Sequence, residues 1–134
     1  MADYFVNEGN KIGYMPTEFG PTGAIVEKKI IAGADLKKGQ VVELTDALTV
    51  EATTAASANV LGVAMFDAKA GEPVVIETEG LFKLTANAAI TAPALVESSA
   101  DGKVATVGAT VTKTIGLALT DAIKDGEVYV KFSI

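Results

Sequence analysis

The stretch Leu61-Gly62-Val63-Ala64-Met65-Phe66-Asp67-Ala68 returns 54 residues later as Ile115-Gly116-Leu117-Ala118-Leu119-Thr120-Asp121-Ala122. Four of the eight positions are identical, and three more exchange one apolar residue for another. The same offset sets Leu36 against Ile90, Val41 against Leu95, Val42 against Val96 and Val50 against Val104. Downstream, one inserted residue aligns Gly71-Glu72 with Gly126-Glu127, and Val74 stands against Val128. A register kept over this length marks an internal duplication. Two copies are too few for a solenoid, which needs about three repeats to bury a continuous core. The expected outcome is two similar units facing each other about a pseudo-twofold, with one shared core, in a single barrel or sandwich.

Each copy has the composition of strands: short Val/Ile/Thr runs separated by Gly, Asp and Pro. The pattern predicts strands over 24–31, 40–44, 48–51, 59–65, 73–77, 81–84, 94–97, 103–106, 114–119 and 127–133. Turn signals at Lys38-Gly39, Ala70-Gly71, Asp101-Gly102 and Asp125-Gly126 separate them. The last strand alternates, with Val128, Val130 and Phe132 on one face and Tyr129, Lys131 and Ser133 on the other. No segment sustains the 3.6-residue apolar period of a long helix. The alanine-rich runs 52–58 and 86–89 are expected to close no more than a helical turn. Gly62 and Gly116 interrupt strand patterns, where glycine marks a bulge or the close approach of another backbone.

The fold class is therefore all-β: a small β-barrel or β-sandwich built from two pseudo-repeated units, about 24–84 and 85–134, within a single domain over 23–134. Residues 1–22 read differently. They hold Tyr4, Phe5, Tyr14 and Phe19, half of the eight aromatic residues of the chain. They also hold Pro16, Pro21 and three glycines, which rule out a continuous helix. Aromatics in a segment unable to form its own core point to an extended N-terminal arm that packs on something else. Those four residues are the candidate interface anchors. The alternative is a strand tucked against the chain's own domain.

Composition excludes several chemistries. The 134 residues suit one domain, and 49% hydrophobic with 21% charged is ordinary for a globular chain. There is no Cys, His or Trp, and every basic residue is Lys. Zinc sites of the thiolate or imidazole type, haem and iron–sulfur ligation, and disulfides are impossible, as are Ser–His and Cys–His nucleophiles. A net charge of −6 without any Arg opposes nucleic-acid binding and phosphoryl transfer. The N-terminus has no basic region followed by an apolar stretch, so no secretory signal is expected. No run approaches the roughly 18 apolar residues of a membrane span. The expectation is a soluble protein made in a cytosol.

The remaining polar clusters read as structure. Glu77 and Glu79 lie two apart, so on a strand they would share a face, but neighbouring acids on one strand are ordinarily solvated. The loops from Asp67 to Glu72 and from Asp121 to Glu127 place carboxylates around a glycine without the spacing of a calcium loop, and turn chemistry accounts for them. Ser98-Ser99 has no general base, and the segment from Gly33 to Gly39 lacks the Gly-Lys-Ser/Thr ending of a phosphate loop. No catalytic, cofactor-binding or metal site is expected, and no cofactor.

The start Met1-Ala2-Asp3-Tyr4, then Gly23-Ala24-Ile25-Val26-Glu27-Lys28 and Leu36-Lys37-Lys38-Gly39-Gln40-Val41-Val42, resemble the small capsid decoration, or cement, and head fiber proteins of tailed bacteriophages. The repeated strand-and-turn units from Leu61 and Ile115, and the segment Glu79-Gly80-Leu81-Phe82-Lys83-Leu84, extend the resemblance to the end of the chain. It implies a β-rich structural virion protein, not an enzyme, made in the host cytoplasm and bound to the outer capsid surface. The implied partners are the major capsid protein and further copies of the chain, a trimer favoured over a dimer, with neither nucleic acid nor membrane. It also implies reinforcement of the head or service as a head-fiber base. The end at Ile134, directly after the last predicted strand, favours decoration over a projecting fiber. A carbohydrate-binding or host-adhesion module is the alternative function.

Overall fold

The computed structural model describes residues 29–134. In chain order its strands are β1 (Ile31–Ala32), β2 (Val41–Asp46), β3 (Thr49–Ala52), β4 (Val60–Ala64), β5 (Ile76–Glu77), β6 (Glu79–Thr85), β7 (Ala94–Ser98), β8 (Val104–Thr106), β9 (Gly116–Ala118) and β10 (Glu127–Ser133). They form two five-stranded sheets, ordered β1-β3-β2-β4-β5 and β6-β10-β9-β7-β8, each curled into a half-barrel. The all-β expectation holds. Within the predicted 24–31 strand only Ile31 is in a described strand, and 24–28 lie outside the described residues. The alanine-rich runs form bends and turns, and a short 3-10 turn at Ala100–Gly102 is the helical feature among the described residues.

The duplication is visible in individual bonds. Leu36 and Ala68 exchange N–H···O bonds of 2.7 and 3.0 Å, and 54 residues on Ile90 and Ala122 exchange a pair at 2.9 Å. Asp67 Oδ1 accepts from the Lys38 N–H at 2.8 Å, and Asp121 Oδ1 from the Ala92 N–H at 2.8 Å. The repeated Asp-Ala thus ties its loop to a strand entry 29 residues earlier in both units.

One alignment from the sequence is corrected. The Gly71 N–H donates to the Ala32 carbonyl and the Asp125 N–H to the Ala86 carbonyl, both at 2.7 Å. Both donors have left-handed backbones, with φ of 89° and 62°. The structural counterpart of Gly71 is therefore Asp125, not Gly126, and no residue is inserted at this point. The left-handed turn position, which tolerates Gly or Asp, sets the register; the shared Gly-Glu dipeptide does not.

Each half-barrel has its own interior. Ala32, Leu36, Val42, Val50, Ala64 and Ala68 fill the first. Their counterparts Ala86, Ile90, Val96, Val104 and Ala118 lie in the second, with Ala122 packed against them. The second interior is larger because Val41, Val60 and Val63 of the first sheet join it. Val41 and Val63 lie on the back of the first sheet, opposite Val42 and Ala64, and the mouth of the second half-barrel receives them.

The contact is head to tail, which corrects the expected pseudo-twofold with one shared core. A twofold contact uses the same patch on both sides. Here Val41 is fully buried between the units, whereas its counterpart Leu95 is 50% exposed on the back of the second sheet. Apolar residues at both positions hid the difference from the sequence.

Polar bonds fix the seam. Thr53 Oγ1 donates to the Ser99 carbonyl at 2.7 Å, and the Gly102 N–H donates to the Thr53 carbonyl at 2.9 Å. Ser98 Oγ donates to the Ala55 carbonyl at 3.0 Å and accepts from the Ser57 N–H at 2.9 Å. Thr53 and Ser98 are buried, and these bonds satisfy hydroxyls that would otherwise cost about 1–3 kcal/mol each.

Candidate interaction surfaces

The polar groups singled out from the sequence serve the backbone. Glu77 ends β5 and Glu79 opens β6 in the other sheet, so they do not form a pair on one strand, which corrects that reading. Asp67 and Asp121 hold loop amides, and Glu72 Oε1 accepts from the Lys69 N–H at 2.8 Å. Ser99 Oγ accepts from Asn87 Nδ2 at 2.8 Å within the second unit, and the Ser99 carbonyl accepts from Thr53 Oγ1 across the seam. Among the described residues no three acidic side chains are grouped to hold a metal ion.

An open groove of about 660 Å³ runs between the sheets, with Lys37, Lys38, Lys83 and Lys103 around Leu81, Phe82 and Val63. Two of its lysines are paired: Lys103 with Asp125 at 2.8 Å and Lys83 with Glu127 at 3.5 Å. The hydrogen bond from Lys103 holds the Asp125 carboxyl below its ordinary range, and the same bond holds the Lys103 ammonium above its own.

A second candidate surface is the back of the second sheet. The ladders place Leu95 opposite Leu117, Leu117 opposite Lys131, and Lys131 opposite Leu81, one row across four strands. Leu119 and Tyr129 adjoin it, joined by the Leu119 N–H to the Tyr129 carbonyl at 2.7 Å. Leu81, Leu95, Leu119 and Tyr129 are exposed. Exposed apolar side chains gathered on one sheet face, here around Lys131, differ from apolar residues scattered singly and make this face a candidate binding surface. The alternation of the last strand had already turned Tyr129 and Lys131 outward. Leu95, Leu117 and Leu119 were missed because they sit in continuous apolar runs, whose facing no period reveals. The predicted anchors Tyr4, Phe5, Tyr14 and Phe19 lie outside the described residues.

A duplicated β scaffold that ties its own loops with acids and hydroxyls, and that among its described residues presents an apolar sheet face and a lysine-lined groove, has the features of a protein that acts through its surfaces. A family model described as phage cement protein matches residues 21–133, and the chain belongs to that family: it is a structural virion protein of the capsid surface. Its fold is similar to that of the head fiber gp8.5 N base of bacteriophage phi29, with a TM-score of 0.60 and 17% identity over 79% of this chain and 92% of that one. No curated protein matches the sequence.

Proposed function

We propose that the protein decorates the outer face of an assembled phage head, with the major capsid protein as its partner. It reinforces the shell or forms the base on which a head fiber stands. The observation that carries this reading is the cement-family match across nearly the whole chain, from residue 21 to 133. The role is mechanical: Asp67, Asp121 and Glu72 serve turns, and Thr53 and Ser98 serve the seam between units.

The chain acts as a homo-oligomer, a trimer before a dimer. Residues 1–22 form an arm ahead of a β domain over 23–134, and Tyr4, Phe5, Tyr14 and Phe19 anchor it on a neighbouring copy or on the shell. Support comes from chemistry: each aromatic offers roughly 150–250 Å² of surface to bury, and such residues dominate interface energies. Cosedimentation of the full chain with heads lacking it tests the reading. Saturable binding to heads, lost when all four aromatics are replaced by Ser, is the expected result. Failure to bind heads, together with retention on a glycan array, would replace decoration by carbohydrate recognition.

A further inference from the structure

Among the described residues, the contact between the two units leaves two surfaces without partners. Within the chain, the back of the first sheet (Val41, Val63) and the loop after β3 (Thr53, Ser57) fill the mouth of the second half-barrel (Ser98, Gly102, Ile115). At the offset of 54, the counterparts of that back and loop are Leu95, Val107, Val111 and Leu117, and the counterparts of that mouth are Leu44, Leu48 and Leu61. Neither set meets the other inside one chain. Leu95 and Val111 are 50% and 46% exposed, Leu44 and Leu48 40% and 38%. The first mouth is also less filled than the second: Val74 and Ile76 are partly buried where their counterparts Val128 and Val130 are fully buried.

We propose that the back of the second sheet seats in the mouth of the first half-barrel of another copy of this chain, repeating between chains the contact made within one. The inference rests on the reading of the chain as self-associating, and names the surfaces that reading requires. One pair of positions carries it further than exposure alone. The Ser57 N–H donates to Ser98 Oγ across the internal seam at 2.9 Å, and Ser98 Oγ donates to the Ala55 carbonyl. At their counterparts, Val111 and Leu44, both apolar and both exposed, the hydroxyl that accepts this bond is replaced by a leucine side chain, so the polar contact inside the chain becomes an apolar one on the two free surfaces. Solvated surfaces have no reason to change in this matched way.

The repeat is not rigidly equivalent. Gly102 lets the entry to β2 approach, since a Cβ there would stand 2.7 Å from Gln40 Cβ and 3.1 Å from the Val41 nitrogen. Its counterpart is Leu48, also left-handed with φ of 48°, whose side chain props the contact between copies open at that end. A head-to-tail contact leaves one free back and one free mouth at every stage until a ring closes.

Cysteine pairing in this cysteine-free chain tests the contact. Leu44→Cys and Val111→Cys are made as separate proteins, at exposed sites, and their folding is checked by circular dichroism. They are mixed at a concentration where the wild type self-associates by light scattering, then oxidised. The Ser57 amide and the Ser98 side chain meet at 2.9 Å, so the proposed contact sets the counterpart residues of two copies side by side, and disulfide formation reads that proximity. The expected product is a covalent dimer with one chain of each kind, formed in the mixture and not by either variant alone. As a second measurement, Leu117→Asp is expected to weaken self-association at least about tenfold in Kd while the fold is retained, a loss of about 1.4 kcal/mol. Covalent dimers of either variant alone would overturn the proposal in favour of a twofold contact. An oligomeric wild type whose mixed variants do not crosslink would overturn it too, leaving self-association standing through other surfaces, with the mouth covered by residues 1–28 or by capsid. A wild type monomeric at every concentration would overturn both.

Discussion

Gly62 and Gly116 occupy the same position in the two sheets, each beneath a carbonyl of the strand that follows it. A Cβ on Gly62 would fall on the Glu77 carbonyl oxygen, and one on Gly116 on that of Lys131, both closer than the 3.0 Å that real Cβ atoms keep. The obstacle is backbone, so it cannot rotate away. Gly62→Ala and Gly116→Ala should each destabilise by about 2–3 kcal/mol, the cost of overpacking a closed site. Gly108→Ala, where a Cβ meets nothing within 4 Å, should stay within about 0.5 kcal/mol. Urea denaturation of the three variants checks this.

The duplicated aspartates make a paired prediction. Removing the carboxylate with Asp67→Ala or Asp121→Ala strands the Lys38 or the Ala92 amide. Each should cost about 1–2 kcal/mol, in line with hydrogen bonds to charged groups. The double variant should be additive to within about 0.5 kcal/mol, because the loops share no partner. Asp→Asn, which keeps the accepting oxygen, should cost less at both sites.

The Lys103–Asp125 pair gives a pH signature. Asp125 is lowered by Lys103, so its stabilisation is present above the ordinary carboxylate range and is lost as pH falls through its depressed pKa. Lys103 is raised by Asp125, so its stabilisation is present below the ordinary lysine range and is lost as pH rises through its elevated pKa. Asp125→Asn keeps a residue that accepts the left-handed backbone and removes the pair. The stability difference from wild type should be greatest near neutral pH and shrink toward both extremes in denaturant titrations, and it should fall with added salt.

Head-to-tail packing predicts opposite fates for one substitution at duplicated positions. Val63 is 1% exposed between the units, so Val63→Asp buries a charge and should cost on the order of 3 kcal/mol or more. Leu117→Asp, at the counterpart on the open back, should cost less than about 1 kcal/mol in thermal melts at dilution. Equal losses at the two positions would contradict the head-to-tail arrangement.

Local order was legible in the sequence. The strand from Glu127 to Ser133 has the predicted bounds and facing, with Val128, Val130 and Phe132 buried and Tyr129, Lys131 and Ser133 exposed. Gly62 and Gly116 mark a close backbone approach, one of the two readings their place in strands allowed. The relation between the units was not legible. Val41 and Leu95, or Val63 and Leu117, are apolar alike, and only tertiary packing decides which pair is covered. The Gly71–Asp125 correspondence was hidden because a left-handed turn accepts either residue. The apolar back of the second sheet was hidden because Leu95 and Leu117 sit in runs that look the same whether one face or both are buried.

Electron microscopy of phage heads lacking this protein, before and after the purified full chain is added, tests the decorating role most directly. The expected result is new density on the outer surface, repeated at equivalent lattice positions and saturating with added protein. Heads whose outer surface is unchanged at saturating protein would contradict it.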